Sequence, residues 1–244
     1  MYTDQFLNAG TDDTLTTNTT VVVSSNSVDL IQNRDIGEGK TLYAVANITD
    51  TPVVTGFSLA NTGDLITKTA HGLANGSIIR FVSFSASCGL LTTTTYYVVN
   101  RNANDFQVSL TAGGSAEPIT ADATATLIAY PGSMYVQAII GTGVDGNGKI
   151  NAGERVIGQS DTIIGSACAD ATGQKQGQTF AIKLNPLVSG NTEATASQGD
   201  LGQRYLGMRY VAASGAFTGH KVTGLFVTDV QDGRKAYTSG FTVV

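Results

Sequence analysis

The chain has 244 residues, 41% of them hydrophobic, enough to bury a core as one large β domain or two small ones. Only 14% are charged, while Gly, Thr, Ser, Ala and Val abound; this excludes long solvent-exposed helices and favours short strands joined by turns. A net charge of −5 excludes a nucleic-acid surface over most of the molecule, so no direct nucleic-acid partner is expected.

Residues 1–19 are polar, with no basic start and no apolar run, so no signal peptide is expected. We expect this arm to become ordered only on binding a neighbour. Strand-like runs then recur at residues 20–24, 41–48, 77–84, 94–100, 105–110, 133–140, 179–184, 204–212, 221–230 and 241–244. In residues 41–48 a period of two puts Leu42, Ala44, Ala46 and Ile48 on one face. In residues 204–211 Arg204, Leu206, Met208 and Tyr210 alternate against Tyr205, Gly207, Arg209 and Val211, which is sheet patterning with two surface arginines. Residues 221–230 are apolar on both faces and read as a central strand, or one covered by a partner.

Turn-rich clusters separate these runs, at 33–39, 74–76, 112–115, 141–153, 189–191 and 213–219. No segment shows a capped apolar period of 3.6, and the longest apolar stretches fall far short of the ~20 residues needed to cross a bilayer. The pattern predicts an all-β protein, a sandwich or jelly roll. Breaker-rich dipeptides at Thr51-Pro52 and Tyr130-Pro131 mark out residues 53–130 as a small β module inserted into a discontinuous domain, residues 1–52 and 131–244.

Residues with chemistry are few. His71 and His220 each sit beside a glycine in a turn, with no nucleophile elbow to serve, and no phosphate-cradling or dinucleotide fingerprint occurs. We therefore expect no catalytic residues, no cofactor and no metal, although carboxylates that meet only in space stay open to glycoside cleavage. Residues 143–154 imitate a twelve-residue calcium loop: Asp145 stands third, Asn147 fifth, Gly148 sixth, Ile150 eighth, Asn151 ninth and Glu154 twelfth. Gly143 fails the first position and the flanks read as strand, so a polar hairpin or loop is expected there. Cys88 and Cys168 have no zinc-site spacing and suit a reducing cytoplasm, with a single bridge left open. The matches at Asn18 and Asn47 to the glycosylation sequon read as chance. Acids crowd the first forty residues and bases the stretch from Arg204 onward, either as two solvated faces or as complementary contact between subunits.

Two stretches carry a resemblance: residues 31–48, with the Asp35-Ile36-Gly37-Glu38-Gly39 turn, and residues 204–210 followed by 216–231 and Ala236-Tyr237. The chain resembles the capsid cement (decoration) protein family of short-tailed bacteriophages. That resemblance implies a jelly-roll β-sandwich made in the host bacterial cytoplasm. It would oligomerise with itself, as dimer or trimer, on the outer surface of the virion capsid and bridge major capsid proteins. Contacts are expected from the 1–19 arm and the 221–230 strand, with no membrane partner. Residues 71–81, 94–100, 104–110 and Gly113-Gly114 are similar to a small β module of phage tail and fibre proteins. That insertion departs from compact cement proteins. It raises the alternative of a tail-associated or receptor-binding protein that contacts a host glycan.

Overall fold

The computed structural model describes residues 8–16, 19–29, 42–50, 53–164, 179–184 and 204–227. Every regular element among them is a strand. In chain order these are β1 (Asn8–Thr14), β2 (Val21–Val23), β3 (Val28–Asp29), β4 (Tyr43–Asp50), β5 (Val53–Ala60) and β6 (Leu65–Thr67). There follow β7 (Ile78–Phe84), β8 (Thr95–Val99), β9 (Asp105–Ser109), β10 (Ala123–Tyr130), β11 (Ser133–Gly141) and β12 (Gly143–Val144). The last are β13 (Ile150–Ala152), β14 (Arg155–Gln159), β15 (Ile163–Ile164), β16 (Thr179–Lys183), β17 (Tyr205–Ser214) and β18 (Lys221–Val227). The expected run at 241–244 lies outside the described residues, as do 17–18, 30–41 and Cys168.

Two antiparallel sheets share one core. One has the order β1-β18-β4-β16, and the other runs β14-β11-β17-β2, with β15 on β11 and β3 on β17. The alternation read from the sequence fills the space between them. Leu42, Ala44, Ala46 and Ile48 pack with Phe180, Ile182, Val222 and Phe226 of one sheet and with Met134, Val136, Leu206, Met208 and Tyr210 of the other. Each large apolar side chain buried this way contributes about 1.5–3 kcal/mol. Gly224 is required at its position because a side chain there would meet the Tyr210 hydroxyl at 2.6 Å and Met208 Sδ at 2.8 Å. Burial raises the Tyr210 phenol above its ordinary range, with the negative charge of Asp13 adding to the shift.

Residues 8–14 do not wait for a neighbour. β1 pairs with β18, so this part of the polar arm belongs to the sheet. The sequence hides it because the ladder shifts register twice and Asp12 adopts a φ of 52°, which breaks the period of two. Ala9 and Leu15 anchor its two ends in the core. β18 is in turn a central strand between β1 and β4, so both its backbone edges are consumed.

β10, β5, β6, β9, β8 and β7 close into a barrel. Phe57, Leu59, Ile66, Phe81, Tyr96, Val98, Phe106, Val108 and Leu127 point inward and fill it, as in other small barrels whose interior is a core and not a pore. Cys88 is a free thiol buried among them. The barrel is pinned to the sandwich. Thr218 Oγ1 donates to the Ala129 carbonyl at 2.7 Å, and Gly132 N donates to the Ser214 carbonyl at 2.7 Å. A side chain on Gly132 would collide with the Gly76 carbonyl and Ser214 Oγ, so three glycines, Gly76, Gly132 and Gly215, let the two units touch through backbone.

Candidate functional site

Among the described residues, both histidines and the acidic residues of the 143–154 stretch are used by the fold. His71 is buried, its Nδ1 accepts from Leu73 N at 3.0 Å, and its Nε2 lies 3.1 Å from the Asn102 carbonyl. That pair of contacts defines a neutral ring with the proton on Nε2. Burial pushes its pKa below the ordinary imidazole value, and the ring lies 5.1 Å from Phe106. His71 therefore stitches the 68–76 turn to the 100–105 turn. His220 is buried beside Thr218, whose hydroxyl lies 3.4 Å from its Nδ1, and its ring is 5.7 Å from Tyr130 at the junction of barrel and sandwich.

The calcium-like stretch is a hairpin of β12 and β13 folded over the outer face of the six-stranded sheet. Ile150 is its plug. It is buried against Gly141 and Gly207, where a Cβ would come within 2.5 Å and 2.9 Å of the Ile150 side chain. Asp145 Oδ1 accepts from Asn147 N at 2.9 Å and Lys149 N at 3.0 Å, which closes the hairpin turn. Those two backbone bonds, the Lys149 one foremost, hold its carboxyl below the ordinary carboxylate range. Glu154 is turned instead to Arg209, with which it forms an ion pair. Asp145 and Glu154 thus serve a turn and an arginine, and among the described residues no group of three His, Cys, Asp or Glu gathers as metal ligands would.

Arg209 is more than a surface arginine. Its Nε donates to Gln137 Oε1 at 2.7 Å, and Gln137 Nε2 donates to Gln159 Oε1 at 2.6 Å, so a polar row crosses β17, β11 and β14. Arg204 forms a forked pair with Asp29 of β3, its Nε donating to Oδ1 at 2.7 Å. Here the acidic N-terminal region and the basic C-terminal region meet inside one chain.

A groove of about 340 Å³ opens on the flank where β1 and β2 end their sheets. Asp13, Thr16, Val22, Val23, Asp145 and Lys149 line it, and Asp13 is held in place by Ser25 N at 3.0 Å. No local sequence pattern marks this groove, because its walls come from residues 13–16, 22–25 and 145–149. Compared with known proteins, the chain matches no family model, no curated protein and no solved structure. At the far end of the barrel from the sandwich, Leu91 and Leu110 are 58% and 51% exposed, the largest apolar side chains left open there.

Proposed function

We propose that this chain is a capsid cement protein, a jelly roll with an inserted barrel at residues 53–130 that adheres to the outside of a phage head and bridges its major capsid proteins. One observation carries the reading. Number the strands of the two main sheet paths along the chain, leaving out the barrel, and the sheets run 1-8-3-6 and 2-7-4-5. That is the order two interleaved Greek keys produce in a jelly roll. The segments that resemble cement proteins supply strands three, seven and eight of this count, β4, β17 and β18, each an inner strand of its sheet. The protein acts by adhesion and not by catalysis; among the described residues both histidines are buried in the fold, and Asp29, Asp145 and Glu154 are held by arginines or turn amides. An oligomer bridging shell subunits gains about 10²–10⁴ in retention from releasing its contacts together.

Imaging purified virions tests this, together with the copy number per particle. Density on the head at a copy number on the scale of the shell subunits supports the reading. The exposed Leu91 and Leu110 favour a second reading, a tail-associated protein whose barrel end meets a host surface. A handful of copies on the tail would establish that one and end the first.

A further inference from the structure

Two asparagines in the chain precede a glycine, Asn75-Gly76 and Asn147-Gly148. In such a pair the glycine amide nitrogen can attack the side-chain carbonyl carbon of the asparagine, because no Cβ on the second residue crowds the approach. A five-membered succinimide forms, and the side-chain amide leaves as ammonia, carrying the proton that the glycine nitrogen gives up. Water then opens the ring at either carbonyl. The products are aspartate and isoaspartate, and water is the only co-reactant.

The fold treats the two pairs differently, although both asparagines are exposed. Asn75 is held at both groups that must move. Its Oδ1 accepts from Arg101 N at 3.1 Å, and Gly76 N donates to the Val98 carbonyl at 2.9 Å. Asn147 sits instead at the tip of the β12–β13 hairpin. Among the described residues nothing bonds its side chain, and Gly148 N makes one turn bond, to the Asp145 carbonyl at 3.0 Å. Opening a hairpin tip costs less than opening a segment clamped to a neighbouring strand. The adjacent Asp145-Gly146 is spared for another reason. Asp145 Oδ1 accepts from Asn147 N and Lys149 N, which keep the carboxyl ionised, and a carboxylate is a poor electrophile.

We propose that Asn147 is a site of self-modification, converting through the Gly148 succinimide to aspartate and isoaspartate while Asn75 is preserved. Asn147 lines the groove with Asp13, Asp145 and Lys149, so either product adds a third carboxylate there and makes the groove more acidic. Isoaspartate also inserts a methylene into the main chain within the turn. That turn is closed by Asp145 N donating to the Lys149 carbonyl at 2.8 Å and by Lys149 N donating to Asp145 Oδ1 at 3.0 Å. A longer main chain takes these groups out of register and loosens the hairpin next to its plug, Ile150. The inference is independent of the cement reading and fails separately from it.

Ageing the full chain in mildly alkaline buffer and mapping it by mass spectrometry tests this. In the native protein Asn147 converts about tenfold faster than Asn75 or more, because Asn75 must first release its extra bonds. Both aspartate and isoaspartate appear at 147. In urea the two sites convert at comparable rates, since only the fold separates them. Asn147→Gln, which would need a six-membered ring, stays unmodified. The isoaspartate form loses hydrogen-exchange protection at the Lys149 amide, whereas Asn147→Asp keeps it. Native conversion at Asn75 as fast as at Asn147 overturns the proposal. So does an Asn147 that stays intact while the urea-unfolded chain converts, or aspartate formed without isoaspartate, which would mean direct hydrolysis. An isoaspartate form with Lys149 still protected overturns the effect on the turn.

Discussion

Gly207 lies mid-strand in β17, where glycine is normally a weakness. An alanine Cβ there would stand 2.9 Å from Ile150 Cδ1 and 3.3 Å from Ser24 Oγ. The first distance is a collision and the second asks Ser24 to yield a few tenths of an ångström. Gly207 has no positive φ, so alanine suits the backbone and by itself stabilises by about 0.4–1 kcal/mol through the unfolded chain. In the native background overpacking wins, and Gly207→Ala costs about 1–3 kcal/mol. Ile150→Val removes Cδ1, costs about 0.5–1.5 kcal/mol alone, and clears the space. In that background Gly207→Ala becomes neutral to within about 0.5 kcal/mol, or stabilising. The double-mutant cycle therefore carries a coupling of roughly 1–3 kcal/mol. Urea unfolding followed by far-UV circular dichroism measures it, since the chain has no tryptophan to report by fluorescence. Additive substitutions would show that Ile150 does not seat on Gly207, and the account of the hairpin as a flap held by its plug would fall.

Three further outcomes follow from the same geometry. His71 has a lowered pKa, so the unfolded chain takes up a proton on it first; stability is full above about pH 6.5 and declines as pH falls through the folded pKa, and His71→Ala removes that slope in denaturation curves run across the range. The same substitution orphans Leu73 N–H and costs about 1–3 kcal/mol at neutral pH. Calcium or a chelator leaves the melting temperature unchanged, because Asp145 and Glu154 are committed to the turn amides and to Arg209; a calcium-dependent rise would restore the cation reading of residues 143–154. Gly132→Ala drives a Cβ into the Gly76 carbonyl, backbone that cannot swing aside, so calorimetry should resolve barrel and sandwich as separate transitions where the native protein shows closer coupling.

What the sequence disclosed depended on whether burial wrote a period into it. β4 and β17 were legible because one face of each is core: Ala44, Ala46 and Ile48 in the first, Leu206, Met208 and Tyr210 in the second. β1 was not, because its bulge and its aspartates break the alternation, and only its pairing with β18 makes it a strand. β5 was missed beside Thr51-Pro52, where breaker residues masked a strand that bends at Gly56, φ 81°. The same pairing bears on the contact surface expected at 1–19 and 221–230. Residues 8–14 cover one edge of β18 and β4 covers the other, which leaves its side-chain faces but no backbone edge to offer.

The all-β class, the apolar faces of β18 and the turn-rich character of residues 143–154 were determined by the sequence, since composition, alternation and turn residues act locally. Tertiary structure alone decided that Ile150 plugs a site made by Gly141 and Gly207, that Arg209 ties together Gln137 and Glu154, and that β2 borders a groove shared with Asp13, Asp145 and Lys149. Most of the residues those features join lie more than fifty positions apart. No local pattern encodes which glycine will face which side chain once two sheets have closed on each other.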